Sequence, residues 1–307
     1  MNSDAFIFPG QGSQYPGMGK ELADNFAIAR DTFAEADDAL HFELSRLCFD
    51  GPEEDLRLTA NTQPAILTTS IATLRVVLTE TGLAANFMAG HSLGEYSALV
   101  AAGALSFADA VRTVRARGTF MQEAVPVGVG AMAAILSVEP DALAEICLEA
   151  AQGEVVSPAN FNSPGQIVIA GHTGAVNRAI EIAKAKGFRK AMLLPVSAPF
   201  HCSLMAPAGE RLAEALRDIS VSALQVPVVS NVEAEPNRDH DRVKELLVKQ
   251  VSAPVRWEES VVRMVKQEVA RFIEIGPGKV LSGLVKRIDK NVENRNVEDM
   301  AGLKSLI

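Results

Sequence analysis

The chain has 307 residues, with 29 Lys plus Arg against 38 Asp plus Glu and a formal net charge of −9. That length gives one large domain or two ordinary ones with a substantial core. A content of 48% apolar and 22% charged residues excludes disorder, a collagen-like repeat and a coiled coil. An acidic chain is a poor match to nucleic acid or an anionic membrane, so an acidic partner needs a local basic patch. The three cysteines, Cys48, Cys147 and Cys202, have the spacing of neither a zinc site nor a disulfide framework. The start, MNSDAFIF, lacks the basic and long apolar stretches of a signal peptide. Apolar runs such as 99–105 fall far short of the ~20 residues that span a bilayer. These features predict a cytoplasmic protein with reduced thiols and no metal or redox cofactor.

In chain order, DAFIFP (4–9) reads as a short buried strand ended by the Gly-rich loop GQGSQYPGMG. Helical patterns follow to about residue 47, then the apolar stretch 62–78, helical after Pro64. Residues 86–89 read as a strand, 90–94 as a tight turn, 95–102 as a helix closed by Gly103, and 107–124 as an amphipathic helix. This alternation predicts a parallel sheet with helices on both faces. From Pro126 the pattern changes. Strand 130–138, helix 139–150, strands 154–161 and 166–171 around the turn Asn162-Ser163-Pro164-Gly165, helix 173–187 and strand 189–196 follow. The order β-α-β-β-α-β is the ferredoxin-like unit. It predicts a small domain, 125–198, inserted into a large α/β domain made of 1–124 and 199–307. Helices at about 203–217, 239–251 and 257–268, strands at 226–230 and 270–275, and a helix over 279–288 complete the large domain.

Gly90-His91-Ser92-Leu93-Gly94 fits Gly-x-Ser-x-Gly, the nucleophile elbow. There a serine sits on a strained strand-to-helix turn with glycines removing clashes on either side. The Leu93 amide is placed to donate to an oxyanion, and the loop Gly10-Gln11-Gly12 offers a second donor. A serine nucleophile needs a base. His41 and His240 lie in polar contexts, His172 ends a strand of the insert, and His91 is expected on the opposite side of the turn, supporting it. His201, in SAPFHCSLM, falls in a loop between domains, where a base reaches a cleft; it reads equally as a helix cap. Cys202 diverges from its neighbour in an extended segment and reads as packing. On helix 107–124, Arg115 and Arg117 flank the apolar stripe on opposite sides, and position alone does not choose which reaches inward.

FPGQGSQYPGMG, GHSLGEYSALVAAGAL, RGTFMQEAV, NFNSPGQIVIAG, PFHCSLM and EIGPGKVL together resemble, in order and nearly end to end, the malonyl-CoA:acyl-carrier-protein transacylases of bacterial fatty acid synthesis. The resemblance implies a hydrolase-like α/β core with a ferredoxin-like insert. It implies Ser92 as nucleophile and His201 as base. The Gln11 and Leu93 amides would form the oxyanion hole, and Arg117 would bind the malonyl carboxylate by two parallel hydrogen bonds. The family orients its histidine by a backbone carbonyl, here that of Gln250, and Met121, Asn160, Phe200 and Asn231 are pocket candidates. The implied reaction passes malonyl from malonyl-CoA to the carrier's phosphopantetheine thiol through a malonyl-serine, with no cofactor, in a monomer. A polyketide-type acyltransferase of other acyl selectivity is the alternative, and a serine esterase a weaker one. The implied carrier is acidic, which points to Lys286 and Arg287, or to Arg189 and Lys190 with Lys184 and Lys186, as its docking surface.

Overall fold

The computed structural model describes residues 3–196 and 198–307. Met1 and Asn2, expected at the start of the large domain, and Ser197, near the end of the insert, lie outside the described residues. Among the described residues ten strands form two sheets. They are β1 (Ser3–Phe8), β2 (Phe87–Gly90), β3 (Gly130–Leu136), β4 (Val156–Ser163), β5 (Gln166–His172), β6 (Ala191–Leu193), β7 (Val228–Val229), β8 (Pro236–Asn237), β9 (Val269–Ile275) and β10 (Glu293–Val297).

The larger sheet runs β10-β9-β1-β2-β7-β8. All of its pairings are parallel except the β7–β8 hairpin. Its centre is buried on both faces, as a parallel sheet requires. On β1, Phe6 and Phe8 enter one apolar core with Ile66 and Leu67 of helix Thr59–Thr81 and Val111 and Val114 of helix Phe107–Glu123. The alternate residues Ala5 and Ile7 enter a second core with Trp257 and Val261 of helix Trp257–Lys266 and Leu281 and Val285 of helix Val280–Ile288. Period-2 alternation on one strand thus feeds two helical layers.

The second sheet is antiparallel, in the order β4-β5-β3-β6. Ala133, Ile135, Ile167 and Ile169 pack on Leu143 and Ile146 of helix Pro140–Ala151 and on Val176 and Ile180 of helix Thr173–Ala185. Residues on its other face, Met132, Val168 and Ala170, join the main core. The connectivity is the ferredoxin-like one expected.

Several boundaries differ from the sequence reading. The long helix begins at Thr59, with Pro64 inside it; proline there removes one donor from the ladder. Strand β4 continues to Ser163, so the hairpin turn is confined to Pro164-Gly165, with Gly165 at φ 69. The expected strand 189–196 shrinks to Ala191–Leu193. Edge strand β10, ENRNV, and helix Met300–Lys304 were not expected at all. Strand β10 lacks the β-branched and aromatic pattern of a half-buried strand, and of its residues only Val297 is buried. Among the described residues, no helix is long and apolar enough to cross a membrane.

Candidate active site

Strand β2 ends at Gly90, and helix Gly94–Ala101 begins four residues later. Ser92 sits at the apex with φ 51, a left-handed conformation that a residue with a Cβ adopts only when its surroundings enforce it. The enforcement is visible at the two motif glycines. A Cβ on Gly90 would lie 1.9 Å from the Gly94 carbonyl carbon, and one on Gly94 would lie 2.1 Å from the Phe8 carbonyl oxygen. Only hydrogen at both positions lets strand, turn and helix approach so closely.

Asn231 fixes the turn from behind. Its Oδ1 accepts from the Ser92 N–H at 2.6 Å, and its Nδ2 donates to the Gly90 carbonyl at 2.7 Å. The expectation that Asn231 lines the pocket is therefore corrected: it is fully buried, away from the cavity wall, with both ends of its amide engaged by the elbow.

His201 also has a positive φ, 61. Its Nδ1 lies 2.9 Å from the Gln250 carbonyl oxygen and its Nε2 lies 2.8 Å from Ser92 Oγ. A carbonyl only accepts, so Nδ1 carries the hydrogen and Nε2 is free to accept from the serine hydroxyl. Burial, and then the nearby Arg117 cation, pull the imidazole down to about 3, which keeps it neutral at ordinary pH.

Of the two arginines the structure chooses Arg117, which is 1% exposed. Its Nη1 donates to Gln63 Oε1 at 2.8 Å, and its Nη2 to Gln250 Oε1 at 2.9 Å and to Ser92 Oγ at 3.1 Å. Its Nε is buried with no acceptor among the described residues, and the guanidinium lies over the Tyr96 ring. Arg115 turns the other way, to Asn61 and the Phe42 ring.

These groups open on a cavity of about 130 Å³ between the two sheets. The expected residues Gln11, Leu93, Met121, Asn160 and Phe200 line it together with Ser92, Arg117 and His201. The insert contributes Met132 from β3 and Leu194 and Val196 from the segment after β6. That segment leaves the sheet early, which is why the predicted strand is short. His91 is a second correction. It lines the cavity rather than standing behind the turn, and its Nε2 is 2.8 Å from Asn162 Oδ1 on β4. Cys202 is buried, its thiol on the Pro199 carbonyl, as packing requires.

Two residues escaped the sequence reading. Gln63 binds Arg117, and Glu95, 2% exposed, accepts from the Gln250 side chain at 2.7 Å and the Asn231 N–H at 3.0 Å. The available signal was a polar residue inside an apolar helix, in TQPAIL and GEYSALV. The basic residues expected to dock a partner are exposed. Lys184 and Lys186 pair with Glu181 and Glu149, and Arg287 bonds the Gln166 side chain on β5.

A turn of nucleophile-elbow geometry on a parallel sheet, with a histidine and a buried arginine in one cavity, is the architecture of an acyl-transfer enzyme. The chain belongs to the acyl transferase domain family, whose model matches residues 5–305. It is 54% identical over 288 residues to the malonyl CoA-acyl carrier protein transacylase of Escherichia coli (strain K12), covering 94% of this chain and 93% of that protein. Among solved structures it is similar to an acyl carrier protein S-malonyltransferase from Vibrio cholerae, with TM-score 0.97, 50% identity and full coverage of both chains. It is also similar to a malonyl-transacylase solved in complex with its type II PKS acyl-carrier protein, with TM-score 0.97, 48% identity and 99% of each chain covered.

Proposed function

We propose that the chain transfers the malonyl group of malonyl-CoA to the phosphopantetheine thiol of acyl carrier protein, supplying fatty acid chain elongation. The observation that carries this reading is Arg117, a buried cation 3.1 Å from the candidate nucleophile, whose side-chain acceptors are all neutral. A carboxylate at the end of the acyl group is the partner such a guanidinium calls for. His201 Nε2 takes the Ser92 proton, and Oγ attacks the thioester carbonyl. The Gln11 and Leu93 amides receive the developing oxyanion. Coenzyme A leaves with the proton as its thiol, and the carrier thiol then attacks the malonyl-serine with His201 as base again. The Gln250 carbonyl keeps the imidazole in the reactive tautomer throughout. Asn160, Met121 and Phe200 shape the space for the acyl group.

The remaining elements of the reading are an inserted domain over 125–198, a cytoplasmic monomer and catalysis with no cofactor beyond the substrates. The test is incubation with malonyl-, methylmalonyl-, acetyl- and longer acyl-CoA, with and without carrier protein, followed by mass spectrometry. A malonyl adduct on Ser92 that passes to the carrier supports the reading. Preferential loading of a neutral acyl group, or hydrolysis with no transfer, overturns it.

The carrier docks on exposed cations: Lys286 and Arg287 at the end of helix Val280–Ile288, or Arg189 and Lys190 before β6. Reversing Lys286 and Arg287 to glutamate is expected to raise the KM for carrier protein severalfold at low salt, with loading from malonyl-CoA as the comparison rate. If carrier kinetics move for neither cluster, docking lies elsewhere.

A further inference from the structure

Glu95 touches none of the reacting atoms, yet it closes the network around them. Its Oε2 accepts both the Gln250 Nε2 and the Asn231 N–H. The Gln250 amide is thereby held with Oε1 toward Arg117, while the same residue's backbone carbonyl orients His201. Arg117 meets only neutral acceptors directly, so the carboxylate in this network is Glu95, one amide away.

We propose that Glu95 is the counter-charge of Arg117 in the unacylated enzyme, and that Glu95 takes up a proton from solvent when a malonyl carboxylate arrives at Arg117. The inference rests on the reading of Arg117 as the carboxylate's partner. One buried guanidinium cannot balance two buried carboxylates, and the one without a direct contact is the one to neutralise. The geometry permits this at no loss of bonding: both donors lie on Oε2, so Oε1 can carry the proton while both bonds persist. A small cavity lined by Glu95 is also lined by Ser230, whose Oγ is buried and unpartnered among the described residues. The charged and titratable groups that face Glu95 are Arg117 and, on its own helix, the Tyr96 phenol; helix Val243–Ser252 and the Asn231 segment present neutral amides. Burial pushes the carboxyl up to about 7, against the lowering effect of its hydrogen bonds and of Arg117. In the balanced step the Ser92 proton leaves on the coenzyme A thiol, the malonyl carboxylate stays ionised, and one further proton passes from buffer to Glu95. Transfer to the carrier returns it.

The test is stoichiometric loading of the wild-type enzyme with malonyl-CoA in weak buffer containing a pH indicator. Acyl-enzyme is quantified in the same samples by mass spectrometry. At about pH 7.5 the expected uptake is a large fraction of a proton per malonyl group, and it should fall toward zero as the pH is lowered and Glu95 is protonated before loading. Acetyl-CoA loading should take up none. Glu95→Gln keeps a side-chain oxygen for both donors and should load malonyl with no uptake at either pH. A full malonyl adduct on wild type with no proton uptake overturns the inference alone, without needing the variant. Uptake that persists in Glu95→Gln overturns the assignment to Glu95. The absence of any malonyl adduct on Ser92 overturns this inference and the proposed function together.

Discussion

Replacing Ser92 by alanine is expected to abolish the covalent malonyl adduct completely while leaving the fold intact. The change removes one oxygen, so it opens no cavity of consequence. The elbow's own support runs through main-chain atoms of residue 92, whose N–H is bound by Asn231 and whose carbonyl is bound by the Gln250 side chain; neither bond needs the hydroxyl. Mass spectrometry after malonyl-CoA treatment reads the result directly, and a full adduct on the alanine variant ends the assignment. The companion variant His201→Ala keeps the nucleophile but not its base, and loading should slow by about 10²–10⁴-fold. An unchanged melting temperature in both variants separates lost chemistry from lost folding.

Replacing Arg117 by alanine should lower malonyl kcat/KM by about 10²- to 4 × 10³-fold and raise relative activity toward acetyl-CoA and longer neutral acyl-CoAs. A carboxylate buried without its partner costs about 3–5 kcal/mol, which sets the size of the loss. The switch follows because the same guanidinium opposes a neutral acyl group, which would leave its buried donors unmatched. Arg117→Lys should rescue poorly, since one ammonium cannot donate along two parallel lines. Arg115→Ala is the internal control, because Arg115 is bound to Asn61 and Phe42, outside the cavity lining. If Arg115→Ala changes the malonyl-to-acetyl ratio and Arg117→Ala does not, the assignment of the carboxylate site is wrong.

What the sequence made legible was what is locally determined. The elbow could be read because its glycines, serine and flanking elements lie within about a dozen residues, and the constraint on each is steric. Strands β1 and β2 and the insert's β-α-β-β-α-β order were legible from short apolar runs and turn residues. Choices made by distant contacts were not. Arg115 and Arg117 have equivalent helical positions, and Gln63 and Gln250, 54 and 133 residues from Arg117, decide between them. Asn231 could be suspected of a role, but its place behind the turn depends on a contact across 139 residues. Glu95 was read as part of a helix start, since its burial against Gln250 and Asn231 has no local signature. Strand β10 was missed because its polar residues pair with β9 through main-chain bonds, which sequence pattern does not report.

The cavity's division of labour has an evolutionary consequence. The groups that bond to or activate the serine come from the main-sheet half of the chain. Met132, Asn160, Leu194 and Val196, which line the cavity, come from the second sheet and the segment after it. The supports of the serine are therefore encoded apart from one part of the cavity wall, although Met121 and Phe200 line it from the main-sheet half as well. With Arg117 kept, a lineage can alter the room left for the acyl group by drift at Met132, Leu194 or Val196 while the serine, histidine and their supports stay unchanged. Paralogues that keep Arg117 but differ in the size of the acyl group they accept should accordingly diverge along β3 and the segment after β6, and a library confined to those three positions should retain Ser92 acylation in most of its members.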